Sequence, residues 1–181
     1  MGNDKTYTLN VAGLTRELNI CPVNEKLDIA AFIMFSDVEL TVACAQELLK
    51  IAPAHDVIIT AESKGIPLAY EMSRQSGQKY LLARKSKKLY MKDVIEVTVQ
   101  SITTTSLQKL YMDAADINYL KGRRILLVDD VISTGESIRA LEQLVEQAGG
   151  EIAGKVAVLA EGDAADREDI VFLAPLPLFF K

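Results

Sequence analysis

The chain has 181 residues, 49% of them hydrophobic and 25% charged, with a formal net charge of −5. We therefore expect a single folded domain over residues 1–181, and the acidic balance, with a pI of about 5.0, argues against a nucleic-acid-binding surface. No apolar segment has membrane-spanning length and no signal peptide opens the chain, so we expect a cytoplasmic protein without membrane contact. Cys21 and Cys44 form neither a disulfide framework nor a C-x-x-C motif, and both are expected to be reduced.

The first half of the chain is expected to alternate helices and strands after an irregular start. Residues 1–35 are predicted to be irregular, with short apolar runs at 7–11 and 29–35. Asp37 is a candidate N-cap for a helix that ends near Pro53, because apolar residues between them recur at helical spacing. The following predicted elements are a strand at 56–60, a helix from Ile66 to about Gln75 that Gly77 ends, and a strand at 79–83.

The second half continues this alternation and ends in strands. A polar, lysine-rich stretch covers residues 84–93, residues 94–99 alternate apolar and polar, and residues 101–106 form a predicted hydroxyl-rich turn. Later predicted elements are a strand at 125–128, a helix from Glu136 that Gly149 and Gly150 end, and strands at 152–160 and 170–173. Strands that alternate with helices predict an α/β fold with a central parallel sheet.

The most informative stretch is residues 125–137, which read ILLVDDVISTGES. A buried strand is predicted to end in two adjacent carboxylates, Asp129 and Asp130, at the edge where open α/β sheets bind ligands. A turn follows, and a helix begins directly after it, so backbone N–H groups and the helix dipole favour an anion there. The acids suit two vicinal hydroxyls and the turn suits a phosphate monoester, and a sugar phosphate satisfies both. The predicted phosphate-binding residues are Ser133, Thr134, Gly135, Glu136 and Ser137.

Over its whole length this stretch resembles the phosphoribosyl-pyrophosphate (PRPP) motif of type I phosphoribosyltransferases. The resemblance implies that Asp129 and Asp130 bind the ribose and act in catalysis, and that residues 133–137 bind the 5-phosphate. The structural alternative is an ordinary strand-loop-helix with a capped helix. A P-loop nucleotide site is excluded, because the chain contains no G-x-x-x-x-G-K-[ST] sequence.

Two further segments resemble the purine branch of the same family. Residues 62–65 resemble the Glu-x-x-Gly loop that holds the pyrophosphate of PRPP; apart from the resemblance, they are simply the start of a helix with Pro67 in its first turn. Residues 82–88 resemble the Ala-Arg-Lys segment of the adenine and xanthine branches, whose basic pair faces pyrophosphate. The implied pyrophosphate-binding residues are Glu62, Ser63, Lys64, Gly65, Arg84, Lys85 and Lys88, and Arg84 and Lys85 are also candidate catalytic residues. For Lys88 a solvated basic loop is an equal alternative, and residues 86–106 would form a mobile lid over the site.

The resemblance, over about residues 38–160, implies the type I phosphoribosyltransferase fold. This fold has a central, mostly parallel sheet flanked by helices, with a core at about residues 37–173 and a small hood formed by about residues 1–36 and the C-terminal tail. The resemblance also implies a pentosyltransferase that uses PRPP and Mg²⁺, with the metal carried by PRPP rather than by direct protein ligands, and a homodimer. The implied reaction joins a purine to ribose and releases pyrophosphate.

The identity of the purine rests on weaker resemblances. The C-terminal run at 175–180 and the Glu-x-x-Gly loop resemble adenine enzymes, which makes adenine salvage to AMP the first hypothesis. Residues 99–105 lack the acid of adenine-type lids and are closer to xanthine enzymes, so xanthine or guanine is the alternative. A hypothesis of another class is a regulator that binds PRPP without catalysis, although an acidic chain with a short segment before its first core helix favours an enzyme.

Overall fold

A five-stranded parallel sheet forms the centre of the protein in a computed structural model that describes residues 5–100 and 107–181. In chain order the elements are β1 (Thr6–Val11), β2 (Leu14–Asn24), β3 (Leu27–Ala30), α1 (Val38–Ile51), β4 (Val57–Ala61), α2 (Ile66–Ser76), β5 (Lys79–Ala83), β6 (Ile95–Gln100), β7 (Leu107–Met112), α3 (Ala114–Leu120), β8 (Arg124–Ile132), α4 (Glu136–Gln147), β9 (Glu151–Glu161), a 3-10 turn (Gly162–Asp166), β10 (Val171–Leu176) and β11 (Leu178–Phe180). The central sheet has the strand order β10-β9-β8-β4-β5, and each neighbouring pair is parallel. The predicted α/β fold is thereby confirmed.

A separate hydrophobic core covers each face of the central sheet, because successive side chains of a strand point to opposite faces. On one face Ile58 of β4 packs in a cluster with α1, α2 and buried residues of the N-terminal segment. On the other face Val57 and Ile59 pack in a cluster with α3, α4 and the β6–β7 hairpin. Both faces of the sheet are thus covered, and the ends of its strands remain as the place for a ligand site.

The N-terminal segment and the last strand form a second, antiparallel sheet with the order β1-β2-β3-β11, which we call the hood. The prediction that residues 1–35 are irregular is therefore wrong, since β1, β2 and β3 occupy most of this range. Leu9, Val11 and Leu18 anchor the hood because they are buried in the α1–α2 cluster. A hood built from both terminal segments is the arrangement that the resemblance implies.

Three further differences from the predicted elements matter for the site. The strand predicted at 125–128 is longer, since β8 continues to Ile132. Helix α3 and strand β11 were not predicted. The predicted hydroxyl-rich turn at 101–106 lies outside the described residues, as does the end of the predicted lid. The described part of that lid contains β6, which pairs antiparallel with β7 just after the predicted lid.

Asp37 begins helix α1 and also joins it to the hood. Its Oδ1 accepts a hydrogen bond from the Leu40 N–H at 3.0 Å, and the Arg16 guanidinium of β2 donates to its Oδ2 at 2.7 Å. The Arg16 hydrogen bond lowers the pKa of Asp37, so its stabilising contribution is present above the ordinary carboxyl pKa and is lost as the pH falls through the lowered value.

We expect Asp37→Ala to lower the free energy of unfolding by about 0.5–2 kcal/mol, because the helix loses its cap. Asp37→Asn is the matched comparison, since asparagine keeps a capping oxygen but loses the ion pair with Arg16. Denaturant unfolding at pH 7 distinguishes the two contributions. Equal stability of the wild type and Asp37→Ala would contradict the capping role.

Candidate active site

The central sheet opens at the point where β8 and β4 separate. β8 stays paired with β9 up to Ile132, whereas its pairing with β4 ends at Leu127. The chain order reverses at this point, since β4 leads outward to β5 while β8 leads through β9 to β10 on the other side. Open α/β sheets bind ligands at such a switch point. Asp129 and Asp130 come directly after the separation, within the paired strand rather than beyond its end.

The two adjacent acids have different surroundings. Asp130 is buried, with 4% of its surface exposed, and its Oδ2 is a buried atom with no hydrogen-bond partner among the described residues. Asp129 is half-buried, and its Oδ1 accepts a hydrogen bond from the Asp130 backbone N–H at 2.9 Å. Burial, followed by repulsion from Asp130, raises the pKa of Asp129 to about 8. The raised pKa favours the protonated form of Asp129 in the folded protein, and Asp130 Oδ2 is an unpaired oxygen that can accept a hydrogen bond.

This raised pKa has a measurable effect on stability. Between the ordinary value of 3.8 and about 8 the folded protein keeps a proton that the unfolded chain has released. The free energy of unfolding therefore falls as the pH rises through this window, by up to about 1.4 kcal/mol per pH unit. We expect Asp129→Asn to reduce this loss, so that thermal unfolding between pH 5 and pH 8.5 depends less on pH in the variant. An identical pH dependence in both proteins would show that Asp129 ionises normally.

The turn after β8 forms a small cradle at the start of α4. Residues 133–137, together with Asp129, line a cavity of about 160 Å³. Gly135 has φ +79, a conformation that glycine adopts at little cost, and it directly precedes the first residue of α4. The free N–H groups of a helix start favour an anion. The predicted phosphate-binding residues therefore surround a concave space.

An arginine that sequence reasoning missed supports this cradle. A Cβ placed on Gly135 would lie 2.5 Å from Nη1 of Arg167. The Arg167 side chain is fixed by Asp169, to which its Nε and Nη2 donate at 2.9 and 2.8 Å. Asp169 also pairs with Lys155 of β9 at 2.6 Å. The guanidinium therefore adds positive charge next to the turn.

Glu62 connects the two predicted pyrophosphate segments. Its Oε2 accepts the Lys85 N–H at 3.0 Å, and its Oε1 lies 3.3 Å from Arg84 Nη1 and 3.6 Å from Lys88 Nζ. The hydrogen bond from Lys85, followed by the nearby charge of Lys88, lowers the pKa of Glu62 despite the opposing effect of burial. Glu62 is therefore a carboxylate that holds three basic residues beside the opening between β4 and β8.

The loop after β4 makes a tight backbone contact at Gly65. A Cβ on Gly65 would be 2.3 Å from Thr60 Oγ1 and 3.3 Å from Asp129 Oδ1. Thr60 is fully buried, and its hydroxyl has no hydrogen-bond partner among the described residues. The absence of a side chain at Gly65 thus lets the loop after β4 approach Asp129 on β8.

Residues 40–174 match the family model of the phosphoribosyl transferase domain. The chain belongs to the phosphoribosyltransferase family. The family predicted from residues 125–137 is thereby confirmed, and the type I fold is confirmed with it.

Proteins that are similar to this chain in sequence or in structure carry the names of purine phosphoribosyltransferases. The chain is 36% identical over 112 residues to a hypoxanthine/guanine phosphoribosyltransferase of Methanococcus voltae, a match that covers 62% of this chain and 56% of the relative. It is 32% identical over 117 residues to a xanthine phosphoribosyltransferase of Exiguobacterium sp., covering 64% of this chain and 60% of the relative. The chain thus spans little more than half the length of these curated relatives.

Among solved structures, the fold is similar to that of two purine enzymes. An adenine phosphoribosyltransferase of Thermoanaerobacter pseudethanolicus superposes with a TM-score of 0.66 at 21% identity, covering 78% of this chain and 84% of that one. The APRTase of Giardia lamblia in complex with 9-deazaadenine superposes with a TM-score of 0.61 at 17% identity, covering 94% and 93%. At these identities the likeness establishes the fold alone.

The main cavity at the opening between β4 and β8, about 440 Å³, is lined by many of the predicted site residues. These are Glu62, Ser63, Lys64, Lys85, Asp129, Asp130, Ser133 and Ser137. Thr134, Gly135 and Glu136 line the adjoining cradle. Gly65, Arg84 and Lys88 do not line either space: Gly65 lies beneath the loop, Lys88 reaches Glu62, and Arg84 lines a neighbouring cavity of about 330 Å³.

The other wall of the main cavity was missed by sequence reasoning. It consists of residues 29–33 from the end of β3 onward, Val131, Glu161 and Leu176. Glu161 was detectable, because it follows the predicted strand at 152–160 just as Asp129 follows the strand at 125–128. The hood residues carry no such signal, since their contact with the sheet depends on long-range packing.

Within the described residues no group of three or more histidine, cysteine, aspartate or glutamate side chains is arranged to hold a metal ion. In that same part of the chain, no helix is both long enough and apolar enough to cross a membrane.

Proposed function

We propose that the protein transfers the phosphoribosyl group of PRPP to a purine base, with adenine as the first candidate, AMP as the product and pyrophosphate as the leaving group. The observation that carries the proposal is the position of Asp129 and Asp130 in the opening between β4 and β8. The loop after β4, which carries Glu62, lies on one side of these acids, and the hood lies on the other. The cradle that contains Gly135 lies at the start of α4. This order matches the order of groups on a ribose that carries pyrophosphate at C1 and phosphate at C5.

The binding roles follow from the chemistry of each group. Asp129 and Asp130 accept hydrogen bonds from the O2′ and O3′ hydroxyls of the ribose, and these bonds favour the ionised form of Asp129, against the effect of burial in the free protein. The backbone N–H groups and hydroxyls of residues 133–137 bind the 5-phosphate, and the nearby Arg167 guanidinium favours its negative charge. Residues 62–65 with Arg84, Lys85 and Lys88 bind the pyrophosphate.

In the reaction the bond between C1 and the pyrophosphate oxygen breaks as the bond between a purine nitrogen and C1 forms, and the proton of that nitrogen passes to the released pyrophosphate. Positive charge develops on the ribose ring and negative charge on the leaving pyrophosphate. The carboxylates of Asp129 and Asp130 stabilise the first, and Arg84 and Lys85 stabilise the second. No covalent enzyme intermediate is needed, because positioning and charge stabilisation are sufficient to lower the barrier.

The residues present fit a Mg²⁺ ion that is carried by PRPP. The described chain offers a pair of carboxylates rather than a complete ligand cage, and Mg²⁺ is commonly held by one or two carboxylates together with substrate phosphates and water. Bound in this way, the ion would neutralise charge on the pyrophosphate. Asp129 and Asp130 are the side chains nearest to the ribose hydroxyls in this arrangement.

Adenine is the first candidate because of the C-terminal run at 175–180 and the Glu-x-x-Gly loop, which resemble those of adenine enzymes. The C-terminal run that resembles adenine enzymes contains β11, which pairs with β3 of the hood. Xanthine or guanine is the alternative, and the names of the curated relatives favour it.

Pyrophosphate release tests this proposal. The protein is mixed with PRPP and Mg²⁺ and with adenine, hypoxanthine, guanine, xanthine, orotate or uracil in turn. We expect release with at least one purine and none with the pyrimidines. PRPP binding without release for any base would instead support a regulator that binds PRPP without catalysis.

We further propose a cytoplasmic homodimer. Both cysteines are free, Cys21 exposed and Cys44 buried, which suits a reducing compartment. Light scattering after size-exclusion chromatography measures the assembly, and a monomer at micromolar concentration would refute the dimer.

A further inference from the structure

The two walls of the main cavity differ in polarity. The wall next to β4 and β5 carries Glu62, Ser63, Lys64 and Lys85. The opposite wall consists of residues 29–33, all of them apolar in sequence, with Val131, Leu176 and Glu161. Among the described residues that line this second wall, Glu161 has the one side chain able to form a hydrogen bond.

The proposed reaction assigns this second wall to the purine, and the inference below rests on that proposed function. The leaving pyrophosphate lies by the β4–β5 wall, and the ribose is held by the acids of β8 between the two walls. An in-line displacement at C1 brings the incoming nitrogen to the face opposite the leaving group. The base therefore enters between the hood and the ends of β9 and β10.

Glu161 is held firmly at the end of β9. It pairs with Leu176 of β10 in the parallel register, and its side chain is half-buried. The next residue, Gly162, has φ +58, and a Cβ there would lie 2.7 Å from Leu178 of β11. The backbone after Glu161 thus turns tightly against the hood. The carboxylate itself forms no hydrogen bond or ion pair within the described residues.

We propose that Glu161 is a specificity-determining residue that selects a purine with an exocyclic amino group and disfavours xanthine. A carboxylate only accepts hydrogen bonds. Adenine offers the hydrogens of its 6-amino group, and guanine offers its N1–H and 2-amino hydrogens. Xanthine has no exocyclic amino group, and its N1–H lies between the carbonyl oxygens at C2 and C6, so a carboxylate that accepts from N1–H also faces two acceptor oxygens. A site built to bond a donor group strongly rejects an analogue that lacks it.

Glu161→Gln tests the proposal, because glutamine has the same shape but both donates and accepts. The kcat/KM values for adenine, guanine, hypoxanthine and xanthine are measured in wild type and variant by pyrophosphate release. We expect the wild type to prefer an amino-purine over xanthine, and Glu161→Gln to reduce that preference by about tenfold or more, since the acceptor-only group is lost. Glu168→Gln is the matched control, because Glu168 is exposed in the loop between β9 and β10 and does not line the cavity.

A second variant and a binding measurement keep the result interpretable. Glu161→Asp retains an acceptor-only group and should keep the order of preference with a lower kcat/KM. Calorimetry with AMP, GMP, IMP and XMP measures selectivity without turnover. A preference for xanthine in the wild type, or an unchanged preference in Glu161→Gln, would overturn the role of Glu161 while leaving the transferase proposal standing.

If the transferase proposal is wrong, the same experiments give a different set of results. Catalysis would be refuted if no base gave pyrophosphate release. The role of Glu161 would still be supported if AMP and GMP bound more tightly than IMP and XMP and Glu161→Gln weakened that preference. Failure to bind both PRPP and these nucleotides would refute both proposals.

Discussion

Replacing Asp129 and Asp130 together by asparagine should lower phosphoribosyl transfer by about 10²–10⁴-fold while the protein stays folded. Each carboxylate is proposed to accept a charge-assisted hydrogen bond from the ribose, and each such bond contributes about 1.5–3 kcal/mol. The variant also lacks the negative charge that opposes positive charge on the ribose ring. The measurement is kcat/KM from initial rates of pyrophosphate release, together with the affinity for PRPP.

Stability should not account for this loss of activity. Asparagine is nearly the same size as aspartate, and it removes the repulsion that, after burial, raises the pKa of Asp129. We therefore expect equal or higher thermal stability at pH 8. Asp163→Asn is a suitable control, since it removes an exposed carboxylate from the 3-10 turn after β9. Full activity of the Asp129→Asn/Asp130→Asn protein would refute the proposed site.

Gly65→Ala should lower kcat/KM by about 100-fold, because a side chain there displaces two parts of the site at once. The added Cβ would lie 2.3 Å from Thr60 Oγ1 and 3.3 Å from Asp129 Oδ1. Thr60 is fully buried in β4 and cannot move aside freely. The loop after β4 or the carboxylate must shift instead, and a displacement of about 1 Å in a positioned site can cost 10²-fold in rate. We expect a stability loss of about 1–3 kcal/mol from the overpacking.

Two further variants separate the effect of a displaced site on kcat/KM from the effect of lower stability. Thr60→Ala removes the hydroxyl that the new Cβ would meet, so Gly65→Ala/Thr60→Ala should recover much of the lost activity. Gly77→Ala strains a remote position with φ +74 and open space around it, so it should lower stability by about 1–2 kcal/mol without affecting kcat/KM. Equal activity of Gly65→Ala and wild type would show that the close approach of loop and strand is not required.

Local sequence patterns were sufficient for the parts of the site that lie on one strand and one turn. The acids of β8, the turn at 133–137 and the start of α4 follow each other in the chain, so their hydrophobic and capping signals overlap. The N-cap at Asp37 was predictable for the same reason, and its hydrogen bond to the Leu40 N–H is present.

The strands of the hood carry different signals: β1 alternates polar and apolar residues from Thr6 to Val11, whereas β2 has little buried surface. Most side chains of β2 are exposed or half-buried, and Leu18 is its one buried residue. The hairpin that joins β1 to β2 turns at Ala12 and Gly13, with φ values of 51° and 76°, rather than at an Asn-Gly pair. Burial of this sheet depends on α1 and β10, far away in the sequence.

Contacts between distant segments were also beyond local patterns. Glu62 meets the Lys85 N–H across 23 positions of the chain, and Arg167 reaches Gly135 from the loop after β9. The length of β8 is a similar case, since its last residues are ordered by pairing with β9. Each of these features arises from the sheet order rather than from a motif.

The hood, which forms the apolar wall of the main cavity, and the β6–β7 hairpin, which does not line that cavity, are anchored in different cores. The hood packs with α1 and α2 on one face of the central sheet, whereas the β6–β7 hairpin packs with α3 and α4 on the other. Substitutions in the hood therefore leave the hydrophobic cluster on the opposite face of the sheet unchanged. If the proposed roles are correct, substitutions in the hood would alter the contacts to the base while Asp129, Asp130 and residues 133–137 keep their positions.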